Sequence, residues 1–156
     1  MENTKEVKRI ADQLRRAFEG EAWHGPSLRE LLTGDTAEIA AAKPIANAHS
    51  IWEIALHIAA WENAVRRRLE GEAVDLPADE DWPKVSDASE AAWKKTLEAL
   101  ETSNTRLRET ISRLTDSQLE NKVAGQNHTM YFTLHGIIQH DLYHAGQIAL
   151  LKKARS

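Results

Sequence analysis

Cysteine is missing from all 156 residues, and its absence closes several routes at once. A disulfide framework, a thiolate zinc site, iron–sulfur ligation and a cysteine nucleophile are all excluded, so any metal here takes nitrogen and oxygen ligands. Proline (4) and glycine (7) are scarce, leaving long stretches that nothing interrupts. Strand-like alternation is absent. No apolar run approaches the ~20 residues that span a bilayer, and the opening MENTKEVKRIADQL lacks the unbroken apolar stretch of a secretory signal. The expectation is a cytoplasmic protein with no membrane partner. Charge of one sign is also lacking: 20 Lys+Arg against 24 Asp+Glu give a formal −4, scattered along the chain. That argues against a broad phosphate-binding face and hence against specific nucleic-acid binding. The longest basic run, Arg66-Arg67-Arg68, closes a helical pattern, where cations suit the helix dipole.

What is present is 42% hydrophobic residues, enough for one core at this length, so the chain is read as one domain over 1–156. The spacing predicts four long helices. Asn3 with Glu6 has the form of a capping box, and Val7, Ile10, Leu14 and Phe18 then follow at helical intervals, giving a first helix over about 4–19. From 21 to 48, Gly25-Pro26, Gly34 and Pro44 leave room only for short helices near 27–32 and 36–42, so this stretch reads as a long ordered crossover. Ser50 with Glu53 makes a second capping box before a helix over about 51–70. The segment 72–85, with two prolines and five acidic residues, reads as a loop. Asp87 with Glu90 makes a third box, and Trp93, Leu97, Leu100, Asn104, Leu107, Ile111 and Leu114 follow the 4-3 rhythm of a bundle seam, with Asn104 as a polar register device. After a turn-rich connection over 115–128, the last helix runs from Thr129 to about Lys153. The fold class is therefore all-α, a four-helix bundle with a long crossover between its first and second helices.

The chemistry concentrates in the last helix. His140-Asp-Leu-Tyr-His144 sets two imidazoles at i and i+4, one above the other on the helix surface. At ~100° per residue they share the face of Ile137, Ile148 and Leu151 and point inward. Buried imidazoles need partners, since an unsatisfied buried polar group costs roughly 1–3 kcal/mol, and one shared metal satisfies both. His57, between Ile54 and Trp61 on the flank of the second long helix, is the candidate third ligand. Three histidines leave a coordination position open, as in catalytic sites. The competing reading is three interior histidines satisfied by ordinary hydrogen bonds. His24, His49, His128 and His135 lie in loops, at a cap or on the opposite face.

Several neighbours are candidates for supporting roles. Glu53, one turn before His57, is placed to accept that ring's other N–H, though a solvated glutamate reads equally well. Gln147 falls beside His140 and is the candidate for orienting water or substrate; Trp61 and Tyr143 are candidate pocket walls. Metal affinity is expected to fall as pH drops through the ordinary histidine range near ~6.5.

The stretches Ala22-Trp-His-Gly-Pro-Ser27, His49-Ser-Ile-Trp-Glu-Ile-Ala-Leu-His-Ile-Ala-Ala-Trp-Glu62 and Leu134-His-Gly-Ile-Ile-Gln-His-Asp-Leu-Tyr-His-Ala-Gly-Gln-Ile148 resemble the DinB/YfiT-like superfamily over nearly the whole chain. The resemblance implies a four-helix bundle with a divalent metal, zinc or nickel, on His57, His140 and His144. It further implies that some members are enzymes using a low-molecular-weight thiol, as S-transferases or isomerases; apart from the resemblance, an open metal position would also serve a hydrolase through bound water, and a small-molecule substrate is expected for either. The second reading is a noncatalytic, stress-associated metal-binding bundle acting through a homodimer.

Overall fold

The computed structural model describes residues 3–155 and is all-helical. Four long helices carry it: α1 (Lys5–Glu19), α4 (Ile51–Leu69), α6 (Glu90–Ser112) and α7 (Met130–Lys153). Between them lie the short helices α2 (Leu28–Leu32), α3 (Ala37–Ala41) and α5 (Ala78–Asp81), and a 3-10 turn at Asp116–Glu120. α4 packs against α6 and α7, and α1 packs against the same two, so α1 sits diagonally across from α4. The connection between them carries α2, which rests on α1 and α7, and α3, which rests on α4 and α6. None of the helices is long and apolar enough to cross a membrane among the described residues.

Helix starts follow local chemistry where the cap is local. At α4 the box is reciprocal: Glu53 N–H donates to Ser50 Oγ at 3.1 Å and Ser50 N–H donates to the Glu53 carboxylate at 2.8 Å. Two other predicted boxes are corrected. Asn3 and Glu6 do not form a box at α1: its N-cap is Thr4, Asn3 Oδ1 accepts from Lys5 N–H at 3.2 Å, and the orphan N–H groups of Glu6 and Val7 donate to the Asp116 carboxylate at 3.1 and 3.0 Å. Asp87 and Glu90 do not pair across the start of α6 either. Ser89 is the N-cap, accepting from Ala92 N–H, while Glu90 turns away and accepts from Ala37 N–H at 2.8 Å, capping α3. Likewise 72–85 is not all loop. Pro77 sets φ at the start of α5, whose Asp79, Glu80 and Asp81 suit the positive end of a helix.

The core is two apolar clusters. One gathers Ile54 and Ile58 of α4, Trp93 and Leu100 of α6, and Ala145 and Ile148 of α7. The other gathers Val65 and Leu69, Leu107 and Ile111, and Leu134, Ile137 and Ile138 from the same three helices, with Val7, Ile10 and Leu14 of α1. Along each helix the boundary falls on a polar residue: Glu62 on α4, Asn104 on α6 and Asp141 on α7, all buried. Glu62 accepts from Asn104 Nδ2 at 2.7 Å and from the Ser103 hydroxyl. Removing Asn104 leaves a buried acid without its amide partner, so Asn104→Ala should lower stability by about 1–3 kcal/mol; urea unfolding that leaves the midpoint unchanged would contradict this.

Candidate metal centre

His57 comes from the second turn of α4, and His140 and His144 come from successive turns of α7. The packing of α4 on α7 brings them together. His57 Nε2 and His140 Nε2 are 3.0 Å apart. The ring centres of His140 and His144 are 4.5 Å apart, and those of His57 and His144 are 4.7 Å apart. One ring nitrogen of each histidine lies within 4.8 Å of the other two, a group that can hold a metal ion. Two nitrogens bound at ~2.0–2.1 Å to one tetrahedral ion sit about 3.4 Å apart, so the cluster is of the right size without rearrangement of its helices.

The outward nitrogens are held in place. His57 Nδ1 donates to the backbone carbonyl of Asp81 at 2.7 Å, with the Asp81 carboxylate 3.1 Å away. His144 Nδ1 donates to the amide oxygen of Gln147 at 2.6 Å. A carbonyl oxygen only accepts, so in the neutral rings these protons sit on Nδ1, and Nε2 keeps its lone pair. His140 differs: its Nδ1 is buried without a hydrogen-bond partner, 3.5 Å from a carboxylate oxygen of Asp141 that is also without one. A site with two oriented imidazoles, and a third whose neighbours are unsatisfied, fits a metal ligand set.

α5 and the residue after it close the site. Asp81 also accepts from the Trp61 indole N–H at 2.7 Å, and Trp82 lies between two imidazoles, with its ring 3.7 Å from His57 and 3.6 Å from His49, both nearly parallel.

Residues 22–148 match the family model of the DinB superfamily. The chain belongs to the DinB superfamily. The matched span runs from the crossover into α7 and includes all three histidines, and no curated protein and no solved structure shows significant similarity to the chain.

Within this DinB domain the candidate residues fall as follows. His57, His140 and His144 are brought together. Gln147 is at the site, but its amide oxygen is taken by His144, which makes it a support for an imidazole. Glu53 is not the partner of His57: its carboxylate is engaged by the Ser50 backbone, by Lys43 at 3.0 Å and by His49 at 3.5 Å. The capping box holds it at the helix start. Asp81 takes the orienting contact instead, reached across a connection that spacing alone does not resolve. Trp61 lies edge-on to His57 at 6.5 Å and 6.0 Å from His140, while Tyr143 packs edge-on to His144 and is mostly exposed. His49 reaches the site only through Trp82, and His24 is exposed in the crossover.

Burial sets the charge state. It drives His140 and His144 down to about 4 and lowers His57 as well, so the rings are neutral at pH 7. The expected proton competition near 6.5 therefore moves to lower pH in the folded protein. Burial also raises Asp141 from 3.8 to about 8, and burial together with the neighbouring Asp141 carboxyl raises Glu62 well above the ordinary range. The two sets act in opposite senses. Unfolded histidines titrate near ~6.5, so below that pH the unfolded chain gains protons that the native rings do not take, and stability falls toward about pH 4. Native Asp141 keeps a proton that the unfolded carboxyl has lost, so stability falls as pH rises and levels off past about 8. Metal-free protein should thus be most stable near pH ~6.5, and Asp141→Asn should make the decline above that pH shallower. Urea midpoints for the metal-free wild type that keep rising to pH 8 would rule this out.

Proposed function

We propose that His57, His140 and His144 hold one divalent ion, zinc or nickel, and that this DinB protein is a metal-dependent enzyme acting on a small molecule, a low-molecular-weight-thiol S-transferase or a hydrolase. The observation that carries this is the convergence of three neutral imidazoles on one another, two of them with Nδ1 protons donated outward. A divalent ion bound there supplies a Lewis acid with an open position for thiol or water. The chain does the rest. Asp81 and Gln147 fix two ring orientations, burial keeps the donors unprotonated, and Trp82 and Trp61 shield His57 from solvent. The thiol route is preferred on family resemblance, and the same geometry serves hydrolysis.

This reading takes the four long helices as one domain, a four-helix bundle of the DinB/YfiT-like kind whose crossover carries α2 and α3. A second reading, a noncatalytic metal-binding bundle that associates as a homodimer, is favoured by one feature: Tyr143 and Leu150, seven residues apart on one side of α7, are 67% and 62% exposed.

Metal analysis tests the central proposal. Purified protein should carry one divalent ion per chain, and His57→Ala, His140→Ala and His144→Ala should each lose it; stoichiometric metal in all three variants would end the assignment. Supporting contacts should separate by titration with a competing chelator. Gln147→Ala, which removes the side-chain oxygen that accepts from His144 Nδ1, should weaken binding by about tenfold, the low end of such second-layer losses, and Glu53→Ala should leave affinity unchanged while costing about 1 kcal/mol of stability from the lost cap.

A further inference from the structure

A cavity of about 240 Å³ opens between α4 and α7, and His140 is part of its wall. It runs from the histidines toward the end of α4 and the start of α7. Its sides are the indole of Trp61 and the half-exposed ring of Phe132, and Val65 and Ile137 add apolar surface. Gly136 lines it with no side chain, and a Cβ built there would meet nothing within 4 Å. The space is therefore open at Gly136, with the rings of Trp61 and Phe132 among its walls, and Phe132 stacks on His128, which also lines it.

The cavity also holds a cation. Arg68 is 9% exposed, and its guanidinium carbon lies 5.5 Å from the Trp61 ring centre. One indole thus separates it from His140. Arg68 Nε and Nη2 both donate to the backbone carbonyl of Val74, at 2.9 and 2.6 Å, which orients the guanidinium but leaves its charge uncompensated. The carboxylate in ion-pair range is Asp75, 3.9 Å away on a side chain that is 94% exposed, where water screens most of the attraction. The neighbours in the basic run behave differently: Arg66 pairs with Glu70 at 2.6 Å and Arg67 pairs with Glu72. A buried charge is costly unless it is paired, and here the pairing position faces a cavity with room for a ligand.

We propose that this cavity binds a small organic anion with a flat apolar body, of the size of an aromatic carboxylate. Its anionic group pairs with Arg68, its ring lies between Trp61 and Phe132, and its far end is directed toward His140. As a substrate class this deepens the proposed function and rests on it for catalytic meaning; the binding itself does not. Arg68 supplies charge recognition, and Gly136 supplies the width that admits a ring.

Calorimetric titration of both metal-free and zinc-loaded protein tests this, with benzoate, benzamide and benzylamine as probes. Benzoate should bind with one site per chain, at least tenfold tighter than isosteric benzamide, and benzylamine should not bind. Arg68→Met should weaken benzoate at least tenfold. Because Arg68 also holds the Val74 carbonyl and its loss can impair folding, Gly136→Leu is the second variant: it strengthens a helical position, fills the cavity and should abolish binding while circular dichroism stays unchanged. Equal affinity for benzoate and benzamide, or benzoate binding unaltered in Gly136→Leu, would overturn the proposal. Protein that takes up one zinc but binds no benzoate would overturn it and spare the metal site. Benzoate binding by protein that takes up no metal would support the cavity and remove the metal reading.

Discussion

Glu62, Asn104 and Asp141 put three polar side chains from three helices at one level of an otherwise apolar core, and the position of the site depends on that layer. An apolar core tolerates small slides of one helix past another, because Leu and Ile surfaces interdigitate in several ways. A buried amide bonded to a buried carboxyl does not. Moving α6 by one turn against α4 would separate Asn104 from Glu62 and leave both without partners, at a cost of roughly 1–3 kcal/mol each. Asp141 sets the same level on α7 and is the residue next to His140. Its carboxyl is an electrostatic neighbour of Glu62, so the polar level lies beside the place where α7 sets His140 opposite His57.

The second constraint comes from outside the four long helices. A histidine on α4 can orient its outer nitrogen only through something packed over it, and the segment from Pro77 to Trp82 does this. Asp81 presents its backbone carbonyl and its carboxylate to His57 and takes the Trp61 N–H as well, so one residue ties α5 to two positions a turn apart on α4. Trp82 then fills the gap between His49 and His57 with a parallel ring on each side. These contacts make an acidic, proline-bounded connection part of the site.

The periodic parts of this structure were legible from sequence and the long-range parts were not. Buried residues at 4-3 intervals located α6, and every position of its predicted seam is buried except Leu97, which is half-buried. Phase on α7 turned His140 and His144 inward. Caps show where local reasoning ends. The Ser50–Glu53 box formed because its partners are three residues apart and the Glu53 carboxylate has one oxygen for Ser50 N–H and another for Lys43. Asp116 reaches the first turn of α1 from more than a hundred residues away, and Glu90 serves α3. Asp81 belongs to the same class: its role exists only after the 72–85 segment folds back over α4. Arg68 was read with Arg66 and Arg67 as helix-end charge, which suits the other two. Only the fold shows that it is buried and that its donors end on a carbonyl.

Burial gives the region its electrostatic character. Away from water, imidazoles are held neutral and carboxyls are held protonated, because each charged form loses more hydration than its neighbours return. His57, His140, His144, Glu62 and Asp141 all obey this, in opposite directions of titration but toward the same neutral state. Arg68 differs in kind: it is a buried cation whose Nε and Nη2 end on the carbonyl of Val74. Between α4 and α7 the interior therefore keeps one fixed positive charge beside neutral nitrogen donors and aromatic walls. An interior that neutralises these five groups but keeps the Arg68 charge, with the exposed Asp75 as its ion-pair partner, suits an anion at Arg68 better than a cation. The donors with available lone pairs, a turn or two along the same groove, are left for an electrophile.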